Sequence, residues 1–346
     1  MAERQIIKIA IDAMGGDSAP DMVIEGASRA LKMHQDIEFM LFGDQAKINP
    51  LLEKYPNLKG RCELIHTKDY VRNEDKPTVA LRNRTSSMRM AVDSVRDKKA
   101  DCVVSAGNTG AYMAMAKVFL KTTDGVSRPA IAGTFPTKKG TSVVMDLGAN
   151  VSCDVDNLVE FAVMGKIYAR EVIGVDNPSI GLLNIGEEEM KGNANVQGAA
   201  QILRRAKKTI NFYGFVEGDD LFKGTTDVII TDGFTGNAAL KSAEGFARFM
   251  TDLLKEAFKE NWLTKLGYLL LRGPMEAVKQ RLNPKVHNGA ILIGLGGIAI
   301  KSHGGADGEG FSYAIDVARN MVSHNLNKQI SETLQKLHEE VVEIQE

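Results

Sequence analysis

Residues Val104–Met113 read VSAGNTGAYM, an apolar strand pattern that passes through a turn of small residues into a helix pattern. Several further apolar runs end in the same way, in Gly, Asp or Asn, and amphipathic helix patterns lie between most of them. Continuous apolar strands that alternate with amphipathic helices are typical of a mainly parallel sheet covered on both faces. The sequence therefore predicts a doubly wound, three-layer α/β/α fold.

One segment departs from this alternation. Residues 251–285 show no strand pattern, and Leu254, Phe258 and Trp262 follow helical spacing beside an excess of lysine and arginine. Gly273-Pro274 is expected to break the helix and to begin a second one. We therefore predict that residues 1–346 form one large α/β domain, or two intertwined subdomains, with an amphipathic helical hairpin at 251–285.

Composition restricts the function. With 43 Lys and Arg against 44 Asp and Glu, the net charge of −1 does not indicate a nucleic-acid-binding protein. The three cysteines are scattered without metal-ligand spacing, the start lacks a signal-peptide pattern, and the apolar run at 289–300 is too short to cross a membrane. We expect a cytoplasmic protein with reduced cysteines and without a metal site.

The turn in VSAGNTGAYM is uncharged, and a helix follows it directly. Backbone amides and the positive end of a helix can hold an anion or a developing oxyanion there. A purely structural turn remains the alternative. The turn is not a P-loop, because the Gly-Lys-Ser/Thr ending is missing. The candidate anion-binding residues are Ser105, Gly107, Asn108, Thr109 and Gly110.

Other strand-end motifs carry charged groups. RNRTSSM offers Arg82, Arg84 and Ser86, a combination suited to phosphate, although a solvated helix face is the alternative. Lys191 and Lys241 each lie near a polar turn, where a lysine can stabilise anionic oxygens.

The stretch IGLGGIAIKSHGG contains a G-x-G-x-x-A pattern at Gly294–Ala299. We expect it to continue as a strand instead of opening a helix, so nicotinamide binding is not predicted. His303 follows that strand, and a structural histidine and a general acid/base are both open interpretations.

Taken in order, DAMGGD, RNRTSSM, SAGNTGA, DLGAN, NIGEEEMKGN, TDGFTGNAALK and IKSHG resemble the bacterial acyl-acyl-carrier-protein:phosphate acyltransferases, from Ile9 to about Val322. The resemblance implies a homodimeric α/β protein, similar in fold to isopropylmalate dehydrogenases and phosphotransacetylases. It implies transfer of a fatty acyl group from acyl carrier protein to inorganic phosphate, without a cofactor. The acyl phosphate would serve a membrane glycerol-3-phosphate acyltransferase on the route to phosphatidic acid.

Under this hypothesis phosphate itself is the nucleophile, so the site must supply positioning and charge compensation. His303, Lys241 and Lys191 are the candidate catalytic residues, and the arginines and the 105–110 turn would bind phosphate or the oxyanion. The site lining is assigned to Asp12, Asp17, Asp146, Asn150, Asn184, Asp232 and Asn237.

The same hypothesis predicts a role for the helical hairpin at 251–285. Trp262, Leu266 and Leu269, with lysines around them, fit a peripheral membrane contact that would pass a poorly soluble product into lipid. A dimerisation hairpin is the alternative, and both uses are compatible. The acidic carrier protein would dock on a local basic surface, which this region can provide.

Two rival functions remain. A dehydrogenase of the same fold would require a complete dinucleotide fingerprint and a metal-binding aspartate cluster, and neither occurs in the sequence. A non-catalytic membrane scaffold would explain the hairpin but not the polar strand ends.

Overall fold

The structure is a computed structural model that describes residues 6–260, 262–281 and 290–343, with the backbone alone at 265, 266, 270, 276–281 and 290. Its strands are β1 Ile7–Asp12, β2 Ile37–Gly43, β3 Cys62–His66, β4 Cys102–Ser105, β5 Ala130–Thr137, β6 Gly140–Met145, β7 Ser179–Leu183, β8 Asn211–Val216, β9 Val228–Ile230, β10 Ala290–Ile293 and β11 Ile298–Lys301.

Helices connect most of these strands, as the alternating sequence pattern predicts. They are α1 Asp21–Met33, α2 Gln45–Lys54, α3 Pro77–Ala80, α4 Ser87–Arg96, α5 Thr109–Leu120, α6 Val155–Tyr168, α7 Ala194–Arg205, α8 Gly233–Lys259, α9 Trp262–Arg281, α10 Gly308–Ser323 and α11 Leu326–Glu343, with a π-helical turn at Ala169–Ile173.

In the described ranges the strands form one 11-stranded sheet in the order β3-β2-β1-β4-β11-β10-β5-β6-β9-β7-β8. One core lies between the sheet and α1, α6, α7, α10 and α11, and a second lies between the sheet and α3, α4 and α5. The three-layer α/β/α prediction is confirmed. Most strand pairs are parallel, and the antiparallel ones are β11–β10, β10–β5 and β5–β6.

These antiparallel pairs reverse the direction of the sheet. β1, β2, β3, β4 and β11 run one way, whereas β6, β7, β8 and β9 run the opposite way. Because ligands gather at the carboxyl ends of strands, each set presents its polar turns at a different edge of the sheet. The predicted motifs are therefore divided between two edges.

The prediction that no helix follows the G-x-G-x-x-A pattern is confirmed. Gly294–Gly297 joins antiparallel β10 and β11, so the chain continues as a strand from Ile298.

The predicted helix break at Gly273-Pro274 is wrong. α8 ends at Lys259, α9 begins at Trp262, and Pro274 lies inside α9. A proline inside a helix removes one N–H from the helical ladder and crowds the carbonyl group four residues earlier, yet α9 continues past Pro274. Residues 282–285 of the predicted hairpin lie outside the described residues. In the described part of the chain, no helix is long and apolar enough to cross a membrane.

Candidate active site

Three polar side chains form a row across β1, β4 and β11 at the carboxyl ends of these strands. Lys301 pairs in register with Ser105, and Asp12 follows the pair formed by Ile11 and Val104. Alternate residues of a strand point to one face, and the residues two positions earlier all belong to the core beneath α4 and α5. Asp12, Ser105 and Lys301 therefore face the N-terminal ends of these two helices.

Asp12 connects the row to both helices. Its carboxylate is 1% exposed and accepts hydrogen bonds from Ser87 Oγ at 2.6 Å and from Ser105 Oγ at 2.7 Å. Ser87 is the first residue of α4, and Ser105 Oγ in turn accepts a hydrogen bond from Gly107 N at 3.1 Å. Asp12 thus fixes the start of α4 and the turn before α5 in relation to each other.

Lys301 brings a buried positive charge to the same row. Burial lowers the pKa of its ammonium group to about 8, against the opposing effect of the Asp12 and Asp17 carboxylates. Burial raises the pKa of Asp12, while the bonds from Ser87 and Ser105 and the charge of Lys301 act in the other direction. The two buried groups therefore partly compensate each other. Lys301 Nζ also donates to the carbonyl oxygen of Ser302.

The turn before α5 presents unused backbone amides. Asn108 caps the helix, because its Oδ1 accepts a hydrogen bond from Ala111 N at 3.0 Å. Within the described residues, the N–H groups of Thr109 and Gly110, the first two residues of α5, have no recorded acceptor. The amide of Gly107 is already used by Ser105. Of the predicted anion-binding residues, Thr109 and Gly110 are the exposed ones with free amides.

A loop at residues 70–75 lies against this turn. Asn108 Nδ2 donates to the carbonyl oxygens of Arg72 at 3.2 Å, Asn73 at 2.8 Å and Asp75 at 3.1 Å. Asn73 Nδ2 donates to Asp17 Oδ1 at 3.2 Å. Between the loop and the segment that follows β1 lies a cleft of about 390 Å³, lined by Met14, Gly16, Tyr70, Val71, Arg72, Asn73 and Glu74.

His303 lies at the same edge, in the exposed turn after β11. Its Nδ1 accepts a hydrogen bond from Gly305 N at 3.0 Å, so a neutral ring carries its proton on Nε2. This turn is tied to the segment after β1, because Asp17 N donates to Gly304 O at 2.9 Å.

Arg82, Arg84 and Ser86 precede α4, also at this edge. The two arginines are exposed. Ser86 is fully buried, and its hydroxyl caps Arg89 N and donates to Asn83 O. The structure thus makes Ser86 a helix cap.

Four of the predicted lining residues lie at the other edge, after β6 and β9. The Asp146 carboxylate is fully buried and accepts hydrogen bonds from the backbone N–H groups of Ile131, Gly148, Ala149 and Asn150. Asp232 caps α8 by accepting from Thr235 N at 2.8 Å. Asn150 Nδ2 donates to Asp146 Oδ2 at 3.0 Å, and Asn237 lies against Gly148. This group holds the β6 turn against the start of α8.

The predicted lysines also belong to the second set of strands. Asn184, after β7, donates to the carbonyl oxygens of Gly186 and Lys191 and thereby folds the loop that carries Lys191. Lys241, in the third turn of α8, pairs with Glu244 at 2.9 Å. In the described residues, no recorded hydrogen bond or ion pair joins Lys191 or Lys241 to the Asp12 row.

Sequence patterns missed three participants, namely Lys301, Ser87 and Asn73. Lys301 did give a signal, since it is a lysine that ends an otherwise apolar strand directly before the histidine. Ser87 gave none that separates it from Ser86. The contact of Asn73 with Asp17 joins residues 56 positions apart, which no local pattern can reveal.

The hairpin of α8 and α9 exposes large apolar side chains. Trp262 is 71% exposed and Leu269 is 64% exposed. The side chain of Leu266 lies outside the described residues. Among the side chains that are described, no group of three His, Cys, Asp or Glu is placed to hold a metal ion.

Comparisons with known proteins agree with the resemblance noted above. The family described as "Fatty acid synthesis protein" matches residues 7–329. A phosphate acyltransferase of Rhodospirillum centenum is 52% identical over 330 residues, which cover 95% of this chain and 93% of that protein. Its counterpart in Paramagnetospirillum magneticum is 51% identical over 332 residues, covering 96% of this chain and 95% of that protein.

Solved structures of similar fold are more distant in sequence. A phosphotransacetylase from Streptococcus pyogenes superposes with a TM-score of 0.63 at 17% identity, covering 92% of this chain and 94% of that one. The phosphotransacetylase EutD from Staphylococcus aureus gives a TM-score of 0.58 at 16% identity and covers 94% of each chain. At these identities the likeness concerns the fold.

Proposed function

This chain belongs to the phosphate acyltransferases, and on that premise we propose that it transfers a fatty acyl group from acyl carrier protein to inorganic phosphate. The acyl phosphate formed in this way would supply glycerol-3-phosphate acylation by a membrane enzyme, on the route to phosphatidic acid. No cofactor or metal takes part in the proposal.

The proposed reaction balances without a protein nucleophile. A phosphate oxygen attacks the thioester carbonyl, the carbon–sulfur bond breaks, and the proton of hydrogen phosphate passes to the departing thiolate. The tetrahedral intermediate carries an oxyanion that needs hydrogen-bond donors, and phosphate needs positive charge around it.

The observation that carries the proposal is the pair of unused amides at the start of α5. Thr109 and Gly110 offer two N–H donors at the positive end of a 12-residue helix, next to the row that contains Lys301. We assign the oxyanion or one phosphate oxygen to these amides. His303, Arg82 and Arg84 lie at the same edge and would bind the remaining phosphate oxygens, with Nε2 of His303 as a donor.

Lys191 and Lys241 remain candidates from the second edge of the sheet. If either lysine contacts phosphate, Lys191→Met or Lys241→Met should raise the KM for phosphate. The KM of His303→Ala for phosphate shows which edge of the sheet binds phosphate. We expect a larger rise in this KM for His303→Ala than for either lysine variant.

A proline at position 109 tests the amides directly. Thr109 is the first residue of α5, where proline is tolerated, and the backbone of Asn108 (φ −52°, ψ 116°) lies outside the helical region that a following proline disfavours. Thr109→Pro therefore removes one N–H without breaking the helix. Loss of one oxyanion donor typically lowers kcat by about 10²–10³. The assay measures phosphate-dependent release of thiol and formation of hydroxylamine-trappable acyl phosphate.

Ala194→Pro is the matched control. Ala194 is the first residue of α7, which, like α5, follows an asparagine cap whose backbone lies outside the helical region. It should retain the wild-type rate. If Thr109→Pro keeps full activity, or if Ala194→Pro loses it instead, the assignment to α5 is wrong. A wild-type protein that forms no acyl phosphate would overturn the function itself.

We further propose that the protein is a homodimer and acts as a peripheral membrane protein of the cytoplasm. The exposure of Trp262 and Leu269 supports a contact of the hairpin with lipid, and nearby basic residues such as Lys255 and Lys259 suit anionic headgroups and an acidic carrier protein.

Flotation with anionic vesicles tests the contact. Leu269→Glu should reduce the bound fraction, whereas Val342→Glu, at an exposed apolar position on α11, should not. Equal binding of Leu269→Glu and the wild type would refute the membrane role, and dimerisation would then be the remaining use of the hairpin. The proposed dimer itself is tested by sedimentation equilibrium.

A further inference from the structure

The cleft beside the start of α5 has no role in the chemistry derived so far. Its walls combine the buried apolar side chains of Met14 and Val71 with Tyr70, which is 40% exposed, and with the amide of Asn73. Arg72 and Glu74 add one charge of each sign. Such a mixed lining suits an uncharged chain that carries amide groups better than it suits a phosphate ion.

The cleft leads to the proposed reaction centre. A Cβ at Gly16, which lines the cleft, would lie 3.2 Å from Ala106 Cβ and 3.4 Å from Gly304 O. A Cβ at the preceding Gly15 would lie only 2.7 Å from Gly107 N. The two glycines therefore let the floor of the cleft approach the 105–110 turn closely. A chain lying over Gly16 would therefore lie close to Ala106, in the turn that precedes the amides of Thr109 and Gly110.

Asn108 joins the cleft to that turn through one side chain. Its Oδ1 caps α5, and its Nδ2 holds the three carbonyl oxygens of the 72–75 segment, which forms the far wall. A shift of the wall therefore acts on the cap of the helix whose amides are proposed to meet the oxyanion. The 70–75 loop is also held by the bond from Asn73 to Asp17.

We propose that this cleft binds the amide-containing arm that links the acyl thioester to its carrier, and that Asn108 is a positioning residue aligning the arm with the α5 amides. The inference rests on the proposed function and adds the location of the donor's arm. Phosphate is placed outside the cleft, because Arg72 and Glu74 leave the lining without the excess of positive charge that phosphate needs.

Two donors with the same acyl chain test the inference. S-acyl pantetheine carries the long arm, and S-acyl N-acetylcysteamine carries only its last amide. Tyr70→Ala removes one wall of the cleft and should lower kcat/KM for the long donor about tenfold, the scale expected when a binding contact is lost. The loss with the short donor should be several times smaller, and the KM for phosphate should stay at the wild-type value.

Asn108→Asp separates the two tasks of Asn108. The aspartate still accepts from Ala111 N and caps α5, but it cannot donate to the three carbonyl oxygens of the loop. The expected loss in kcat/KM is about tenfold larger for the long donor than for the short one, because misplacement by about 1 Å is costly. Asp44→Asn makes the reverse exchange at the distant cap of α2, and it should change kcat/KM equally for the long and the short donor.

If Tyr70→Ala and Asn108→Asp each lower kcat/KM equally for the long and the short donor, the inference is overturned, because the substitutions would then act on the 105–110 turn alone. A loss that follows the length of the acyl chain at constant arm would also overturn it, because the cleft would then hold the acyl group. Failure of the proposed function is recognised separately, since the wild-type protein would then form no acyl phosphate from either donor.

Discussion

Replacing Lys301 by methionine should remove a rise in stability that the wild-type protein shows at alkaline pH. Burial lowers the pKa of Lys301 from 10.5 to about 8. Between these values the unfolded chain binds more protons than the folded protein, so the free energy of unfolding increases with pH. From pH 7 to pH 10 this single group should add about 2.5 kcal/mol.

The titration of Asp12 also works against a rise in the free energy of unfolding with pH in the Lys301→Met variant. Its pKa is already raised by burial, and loss of the Lys301 charge raises it further. A carboxyl group with a raised pKa makes the folded state less stable as pH increases through the titration range. The variant should therefore lack the rise in the free energy of unfolding that Lys301 gives the wild type.

Urea unfolding at pH 7, 8, 9 and 10 measures the effect at constant protein concentration. The quantity is the free energy of unfolding of the wild type minus that of Lys301→Met, in which groups common to both proteins cancel. Lys59→Met, at an exposed lysine, serves as the control and should parallel the wild type. A difference that stays constant within about 0.5 kcal/mol across this pH range would refute the assignment of a buried ammonium group to Lys301.

Four further predictions concern the effect of single substitutions on stability. Gly236→Ala should destabilise the protein by more than about 4 kcal/mol, because its Cβ would lie 1.9 Å from Asp146 O. Gly245→Ala, in the same helix with no atom within 4 Å of the new Cβ, should instead stabilise by up to about 1 kcal/mol; urea unfolding of both variants checks this contrast. Asp12→Ala should cost about 3–5 kcal/mol, because Lys301 and the hydroxyl donors lose their carboxylate. Ser105→Ala should cost only about 1–2 kcal/mol, and a larger loss than for Asp12→Ala would show that Asp12 is not the centre of the network.

Local signals in the sequence predicted much of the first edge of the sheet. The turn at 105–110, the histidine after β11 and the aspartate that ends β1 all lie where strand patterns end, and the structure brings them to one edge. Asn108 was predicted as an anion-binding residue from its position before a helix, and in the structure it caps that helix. The hydrogen bonds from Asn108 to the loop could not be predicted, because they form only when folding brings residues 72–75 against the turn.

For the second edge of the sheet, the sequence motifs did not predict where their residues lie. Asp146, Asp232 and Lys241 stand in strand-end motifs that look the same as those of the first set. Sequence periodicity does not state in which direction a strand enters the sheet. The antiparallel pairing of β10 with both of its neighbours, and of β5 with β6, reverses that direction and carries these residues to the other edge.

The sequence by itself determined the strands, the helices that alternate with them, the helix caps and the turn that offers free amides. These features depend on residues close together in the chain, where apolar periodicity and side-chain hydrogen bonds act. Only the tertiary structure decided which turns share an edge, and that Lys301 enters the row of Asp12 and Ser105. Those outcomes depend on the pairing of strands far apart in the sequence, because the ionisation of a buried lysine is set by the carboxylates and apolar surfaces that folding places around it.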